Sequence, residues 1–191
     1  MSTKSKRGIV ELPIPTSDGE FLAHYSERGL CELNFPHRSK TRGSHINKVQ
    51  FPPAVKEWHE QTAKALAAVL AGEEPAHLPP LDLSSGTEFQ QQVWTALLKI
   101  RCGQTLSYGQ VAAAIGKPKA LRAVGGACGA NPVPVFVPCH RVLAANHAIG
   151  GFSSGLDWKR TLLKREGIAT QDGQGRNDRT GTRNTEYRIQ Y

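Results

Sequence analysis

A cysteine and a histidine are adjacent at Cys139 and His140, inside the pentapeptide Pro-Cys-His-Arg-Val that spans 138–142. The six residues before Cys139, Val-Pro-Val-Phe-Val-Pro, are apolar and predict a buried segment that ends at the thiol. The thiolate is the nucleophilic form of cysteine, and a neighbouring imidazole is a base that can generate it. The pair therefore predicts a nucleophilic site, and an inert buried cysteine is the alternative.

Composition favours a soluble, folded chain with a polyanionic partner. The 191 residues are 39% hydrophobic and 21% charged, with a net charge of +8 and a pI near 9.5. No apolar run is long enough to cross a bilayer, and no apolar segment follows the positive charges near the N-terminus, so we expect no secretory signal and no membrane partner. The positive charge favours nucleic acid over a membrane surface as the partner.

The cysteines indicate a reducing compartment. None of the four forms a C-x-x-C pair and no export signal is evident, so we expect a cytoplasmic protein, or a nuclear one if the source is eukaryotic. Cys31 could join His24, His37 and His77 around zinc, but their spacing matches no standard ligand pattern. We therefore predict no metal, and treat these histidines as surface residues.

Strand signals come first in the chain and helix signals follow. Short apolar runs over 8–14, 21–25 and 30–35, separated by turn residues, predict a small antiparallel sheet. Helical spacing follows over 54–70. This order predicts an α+β fold whose N-terminal α/β domain and linker occupy 1–84.

The second part of the chain is predicted to be mostly helical. After a Pro-, Asp- and Ser-rich linker, helical patterns cover 89–100, 108–115, 118–129 and 158–165. Ser107 and Gln110 fit a capping box, and Pro118 is taken as the first residue of the third helix. The middle two helices predict a helix-turn-helix, winged-helix-like, in a domain over 85–168. The polar residues 169–191 are expected to form a flexible tail.

The helix predicted over 118–129 has an unusual composition. One face, expected to point to the core, carries Leu121, Val124 and Cys128, and another carries only alanines, at Ala120, Ala123 and Ala127. Two consecutive glycines cost roughly 1 kcal/mol each relative to alanine in a helix interior. Close packing against another helix would explain the small residues, and so would close approach to a DNA minor groove. Arg122 could then fill the space of an extruded base, or contact a phosphate, or face solvent.

Several blocks in order carry a family resemblance. Over 89–167 the chain resembles the O6-alkylguanine-DNA alkyltransferases, also called methylated-DNA–protein-cysteine methyltransferases. The matching blocks lie at 107–110, 122–127, 131–134, 137–142, 150–153 and 159–167. The resemblance implies a DNA repair protein that moves the alkyl group from O6 of guanine to its own cysteine in a single turnover.

The resemblance also implies a role for each matching residue. Cys139 matches the nucleophile, His140 the base that acts through a water, and Glu166 the acid that orients the imidazole. Tyr108 matches a hydroxyl that donates to the purine and contacts DNA, and Asn131 a residue that ties the recognition helix to the active-site turn. Taken singly, Tyr108 could simply cap a helix, and Glu166 could pair with a basic neighbour on the surface.

The remaining matches concern DNA and the base pocket. Arg122, Ala123 and Gly126 match DNA-binding positions, and Arg122 matches the side chain that replaces a flipped nucleotide. The pocket positions are Val142, Phe152 and Ser153. The implied partner is double-stranded DNA that carries O6-alkylguanine, with O4-alkylthymine as a further candidate lesion. No cofactor is expected, because the DNA itself donates the alkyl group. The chain is expected to act as a monomer.

Three other functions are less consistent with these residues. A non-catalytic protein of the same fold could bind alkylguanine and flag it for another pathway, but such binders lack the cysteine that Cys139 supplies. A bifunctional regulator would need a cysteine-rich zinc module, and only one cysteine precedes Phe89. A cysteine hydrolase normally takes its base from a distant segment rather than from the next residue.

Overall fold

A computed structural model describes residues 8–36, 52–144 and 147–170. His37, named above as a zinc candidate, and all of the predicted tail beyond Thr170 lie outside these ranges. No helix among the described residues is long and apolar enough to cross a membrane.

The N-terminal sheet has three antiparallel strands in the order of the sequence. These are β1 (Val10–Thr16), β2 (Gly19–Ser26) and β3 (Gly29–Asn34). Alternate residues of β2 are fully buried, as expected for a sheet with one covered face. Helix α1 (Pro53–Leu70) packs on the sheet and buries Leu66 and Val69. The predicted sheet and first helix are confirmed.

Four further helices and two very short strands complete the described fold. The helices are α2 (Glu88–Leu97), α3 (Tyr108–Ala114), α4 (Leu121–Gly129) and α5 (Leu156–Arg165), and the strands, which pair in parallel, are β4 (Leu106–Ser107) and β5 (Val142–Leu143). Ser107 and Gln110 form the predicted capping box at the start of α3. The structure is therefore a mixed α+β fold with a small antiparallel sheet and five described helices.

Helices α2, α3 and α4 pack against one another, so that α4 has one buried and one exposed face. The indole nitrogen of buried Trp94 donates to the carbonyl oxygen of Ala127 at 2.8 Å and ties α2 to α4. The sheet contacts the helical part through the amide of Leu33, which donates to the carbonyl of Pro132 at 2.9 Å. These contacts connect the sheet edge to the segment that leads to Cys139.

The predicted start of α4 was wrong. The helix begins at Leu121, because 117–120 forms a turn in which the amide of Ala120 donates to the carbonyl of Lys117 at 2.9 Å, with Pro118 at its second position. Two face assignments are corrected with it. Leu121 is 48% exposed instead of in the core, and Ala127 is buried instead of on the small-residue surface.

Candidate active site and DNA-binding helix

Cys139 opens a single 3-10 turn, Cys139–Arg141, at the end of a buried segment. The buried segment that precedes Cys139 contains Val135, whose φ of +79° is a conformation that β-branched residues rarely adopt. Such strained residues persist only where the surrounding structure holds them, and they cluster at functional sites. The thiol is only 3% exposed, as the apolar run before it predicts.

Asn131 connects the end of α4 to the nucleophile turn. Its side-chain nitrogen donates to the carbonyl oxygen of Val137 at 2.8 Å and to Sγ of Cys139 at 3.1 Å, and its side-chain oxygen accepts from the amide of Val133 at 3.0 Å. The asparagine therefore braces the segment that carries the thiol and also contacts the sulfur. An amide donor at this position stabilises a thiolate more than a thiol.

His140 and Glu166 form a buried hydrogen-bonded pair. Nε2 of His140 lies 2.9 Å from Oε1 of Glu166, and the imidazole is fully buried. Because an ionised carboxylate only accepts, the neutral imidazole must carry its proton on Nε2. Nδ1 of His140 is buried and has no hydrogen-bond partner among the described residues. A buried nitrogen whose lone pair accepts no hydrogen bond needs an explanation, and a role as a proton acceptor provides one.

Burial sets the resting protonation of the site. It raises the pKa of the Cys139 thiol, and the Asn131 hydrogen bond opposes this effect. Burial also lowers the pKa of His140, although the hydrogen bond and the negative charge of Glu166 act to raise it. The pKa of Glu166 lies below its usual value because its hydrogen bonds to His140 and Arg141 outweigh burial. The resting pair at neutral pH is therefore a thiol and a neutral imidazole beside an ionised carboxylate.

Two buried basic residues of the site were missed by the sequence analysis. The guanidinium of Arg141 makes three hydrogen bonds of 3.0–3.1 Å to Glu166. Lys159 is fully buried, and its ammonium donates to the carbonyl oxygens of Val142 at 2.6 Å and Gly151 at 3.3 Å. Burial lowers the pKa of Lys159 to about 8. Both residues lie within matching blocks, but nothing in their spacing predicted burial.

The other predicted pocket residues differ in their burial and in their neighbours. Tyr108 is half-buried at the first position of α3, and burial raises the pKa of its hydroxyl against the opposing effect of the Gly151 backbone. Val142 is buried, and Phe152 packs edge-on against Phe35 with ring centroids 5.9 Å apart. Ser153 is exposed and lines a cavity of about 420 Å³ with residues of β3 and 131–134.

The exposed face of α4 carries the predicted DNA-binding positions. Arg122, Ala123 and Gly126 are all exposed, and a side chain added at Gly126 would meet no described atom within 4 Å. Lys117 and Lys119, in the turn before the helix, are exposed as well. Apart from Leu121 and Arg122, the exposed surface of α4 has almost no side-chain bulk, and the positive charges of Lys117 and Lys119 lie beside it.

Among the described residues, no group of three or more histidine, cysteine or acidic side chains could hold a metal ion. All four cysteines of the chain are free thiols.

Comparison with known proteins agrees with this arrangement. The model of the family described as "6-O-methylguanine DNA methyltransferase, DNA binding domain" matches residues 88–168. A methylated-DNA–protein-cysteine methyltransferase of Methanosarcina acetivorans is 41% identical over 165 residues, which cover 83% of this chain and 96% of the relative. The chain belongs to the methylated-DNA–protein-cysteine methyltransferase family. The resemblance seen in the sequence is thereby confirmed.

Solved structures of the family share the fold. A Mycobacterium tuberculosis protein named OGT, crystallised in complex with DNA, is 38% identical to this chain with a TM-score of 0.64, over 81% of this chain and 90% of the other. The "Bifunctional transcriptional activator/DNA repair enzyme Ada" of Escherichia coli is 41% identical over 153 residues. This chain spans 42% of the length of Ada.

Proposed function

We propose that this methyltransferase removes alkyl groups from O6-alkylguanine in double-stranded DNA by irreversible transfer to Cys139. The observation that carries the proposal is the buried set of Cys139, His140 and Glu166, called the relay below. The thiol is contacted by Asn131, the adjacent His140 is hydrogen-bonded to Glu166, and Nδ1 of His140 has no partner within the described part of the chain. A merely structural Cys-His pair has no need of this arrangement.

The chemistry follows from these positions. The thiol proton moves through a bridging water to Nδ1 of His140, and Glu166 stabilises the imidazolium that forms. The Cys139 sulfur then attacks the saturated carbon bound to O6, so that an S–C bond forms while the C–O bond breaks. The bonding electrons leave with the guanine, and the Tyr108 hydroxyl supplies a hydrogen bond to the developing purine anion. Water does not cleave the thioether, so each protein reacts once.

DNA binding is assigned to α4 in a winged-helix-like arrangement. The small exposed residues Ala123 and Gly126 permit close approach to the minor groove, and Arg122 enters the duplex where the alkylated nucleotide leaves it. The flipped base is received between Tyr108, Val142, Phe152 and Ser153. O4-alkylthymine is a second candidate lesion for this pocket.

The same proposal covers organisation and location. We assign 1–84 to the N-terminal domain and linker, 85–168 to the alkyltransferase domain, and 169–191 to a flexible tail. The protein acts as a monomer, since one chain supplies every group in the relay. It works without a cofactor in a reducing compartment that holds DNA, the cytoplasm or a nucleus.

The experiment that tests this function measures the lesion rather than the protein. A duplex with one O6-methylguanine is incubated with the wild type, with Cys139→Ala and with Cys128→Ala, and its bases are then quantified. We expect the wild type and Cys128→Ala to convert the lesion to guanine and Cys139→Ala to leave it intact. Binding without conversion by the wild type would instead support the non-catalytic alternative.

A further inference from the structure

Arg141 follows His140 directly, and its charged group is buried. Nε donates to Oε1 and Oε2 of Glu166 at 3.1 and 3.0 Å, and Nη2 donates to Oε1 at 3.0 Å. Nη1 donates to the carbonyl oxygen of Ile100 at 2.5 Å, beyond the end of α2. Each of the three nitrogens therefore has a defined acceptor, and the planar guanidinium is fixed between the residues that follow α2 and the end of α5.

The carboxylate of Glu166 is shared between two partners. Its Oε1 accepts from Nε2 of His140 at 2.9 Å and also from two nitrogens of Arg141. A buried carboxyl without a cation beside it tends to take up a proton, and a protonated carboxyl no longer fixes the imidazole tautomer. The fork of Arg141 also prevents Glu166 from rotating away from His140.

We propose that Arg141 is a positioning residue for the alkyl transfer, which holds Glu166 as an ionised acceptor on Nε2 of His140 and so keeps Nδ1 free to accept the thiol proton. The inference rests on the proposed function, because it assigns a cause to the geometry of the relay. It adds a residue that does not touch the substrate or the sulfur.

Loss of this cation has a defined effect on pH dependence. The titratable groups that face Cys139, His140 and Glu166 come from several elements: Lys159 from α5, Tyr108 from α3, Cys128 from α4, and Glu74 and Cys102 on the side of Arg141. Removing a positive charge raises the pKa of every neighbouring group that remains. The His140–Glu166 pair then retains an extra proton to higher pH. The acid limb of the rate profile, which is the range where the rate falls as the pH is lowered, therefore shifts to higher pH.

The test compares Arg141→Met, Arg141→Lys and the wild type, with Arg160→Met as the matched control, since Arg160 is an exposed arginine on α5. The rate of Cys139 benzylation by free O6-benzylguanine is measured from acid to alkaline pH, so that DNA binding does not enter. We expect the acid limb of Arg141→Met to move up by about one pH unit or more. Arg141→Lys should react more slowly but keep the wild-type limb, and Arg160→Met should match the wild type.

Two results would overturn the proposal. One is a rate for Arg141→Met that is lowered by the same factor at every pH. The other is a limb that moves equally in the lysine variant. If Arg141→Met does not fold, ¹⁵N NMR of the wild-type imidazoles decides instead, with the neutral His140 expected to carry its proton on Nε2. A proton on Nδ1 would contradict the proposal, whereas a wild type that transfers no alkyl group would contradict the proposed function.

Discussion

At the residue scale, the site combines a buried thiol with a buried imidazole. Burial raises the pKa of Cys139 and lowers that of His140, so neither group is charged at rest. In the proposed reaction, charge separation accompanies the attack on the alkyl carbon, because the resting thiol is a weaker nucleophile than a thiolate. Reactivity therefore depends on the relay more than on a standing thiolate.

Replacing the base should change both the size and the pH dependence of the rate. We expect His140→Gln to react with free O6-benzylguanine about 100-fold more slowly than the wild type at neutral pH, because the proton acceptor is lost. Since the thiol pKa is raised, the remaining rate should increase with pH as the thiolate forms. The wild-type rate should fall only below neutral pH, where His140 becomes protonated.

Stopped-flow rates across pH provide this measurement, with His59→Gln as a control on α1. A flat pH profile for His140→Gln, or an unchanged rate at neutral pH, would show that His140 is not the base.

How much of the site the sequence predicts depends on the kind of residue. Cys139, His140, Asn131 and Glu166 stand in motifs, and the structure brings them together. Arg141 could not be assigned a role, because its partners lie 25 and 41 residues away, at Glu166 and Ile100. A buried charge is recognisable only once the fold shows what surrounds it.

At the element scale, α4 presents Leu121, Arg122 and otherwise only small residues to the exterior. The periodicity of the sequence placed the helix but misjudged its start, because proline fits both the first turn of a helix and the second position of a β-turn. The hydrogen bond from the amide of Ala120 to the carbonyl of Lys117 shows that the proline occupies the second position of a β-turn. With a start at Leu121, Arg122 lies in the first turn of the helix.

Arg122 should matter for duplex DNA and not for a free base. Extruding a nucleotide costs a few kcal/mol, which a side chain that fills the gap offsets. We therefore expect Arg122→Ala to slow repair of an O6-methylguanine duplex at least about tenfold, while its reaction with free O6-benzylguanine stays near the wild-type rate. Single-turnover kinetics on both substrates provide the comparison. Equal losses would place Arg122 in the fold or the chemistry instead.

A bulky side chain on the exposed face of α4 should block DNA binding. We expect Ala123→Phe to lose duplex binding by about tenfold or more, because a phenyl ring keeps the helix backbone from the narrow minor groove. Ala67→Phe, at an exposed alanine of α1, is the matched control. Fluorescence anisotropy measures binding, and reaction with the free base checks folding. Normal DNA binding by Ala123→Phe would exclude this face.

At the scale of the whole molecule, the net charge of +8 indicates electrostatic binding to phosphates. The sheet and the helical part are held together by defined contacts. One of these is the ion pair of Arg165 with Asp18, at 2.7 and 2.8 Å, directly before Glu166. The sequence predicted both parts but not this contact, because the two residues are 147 positions apart.

Affinity for undamaged duplex should fall linearly with salt on a log–log plot. Each phosphate contact contributes roughly 0.9 to the slope. Lys119→Gln should reduce the slope by about one, because this exposed lysine precedes α4, while Lys64→Gln on α1 should leave it unchanged. Titrations at several salt concentrations measure both slopes. A salt-independent affinity, or equal effects of the two variants, would contradict a phosphate-binding surface around α4.

The central claim is that the alkyl group ends on Cys139 and stays there. The most direct test incubates the protein with an excess of duplex that carries isotope-labelled O6-methylguanine, then combines intact-protein mass measurement with peptide mapping. We predict one labelled methyl group per protein, located on Cys139 and unchanged on prolonged incubation with thiols. More than one lesion repaired per protein, or label on Cys31, Cys102 or Cys128, would contradict the account.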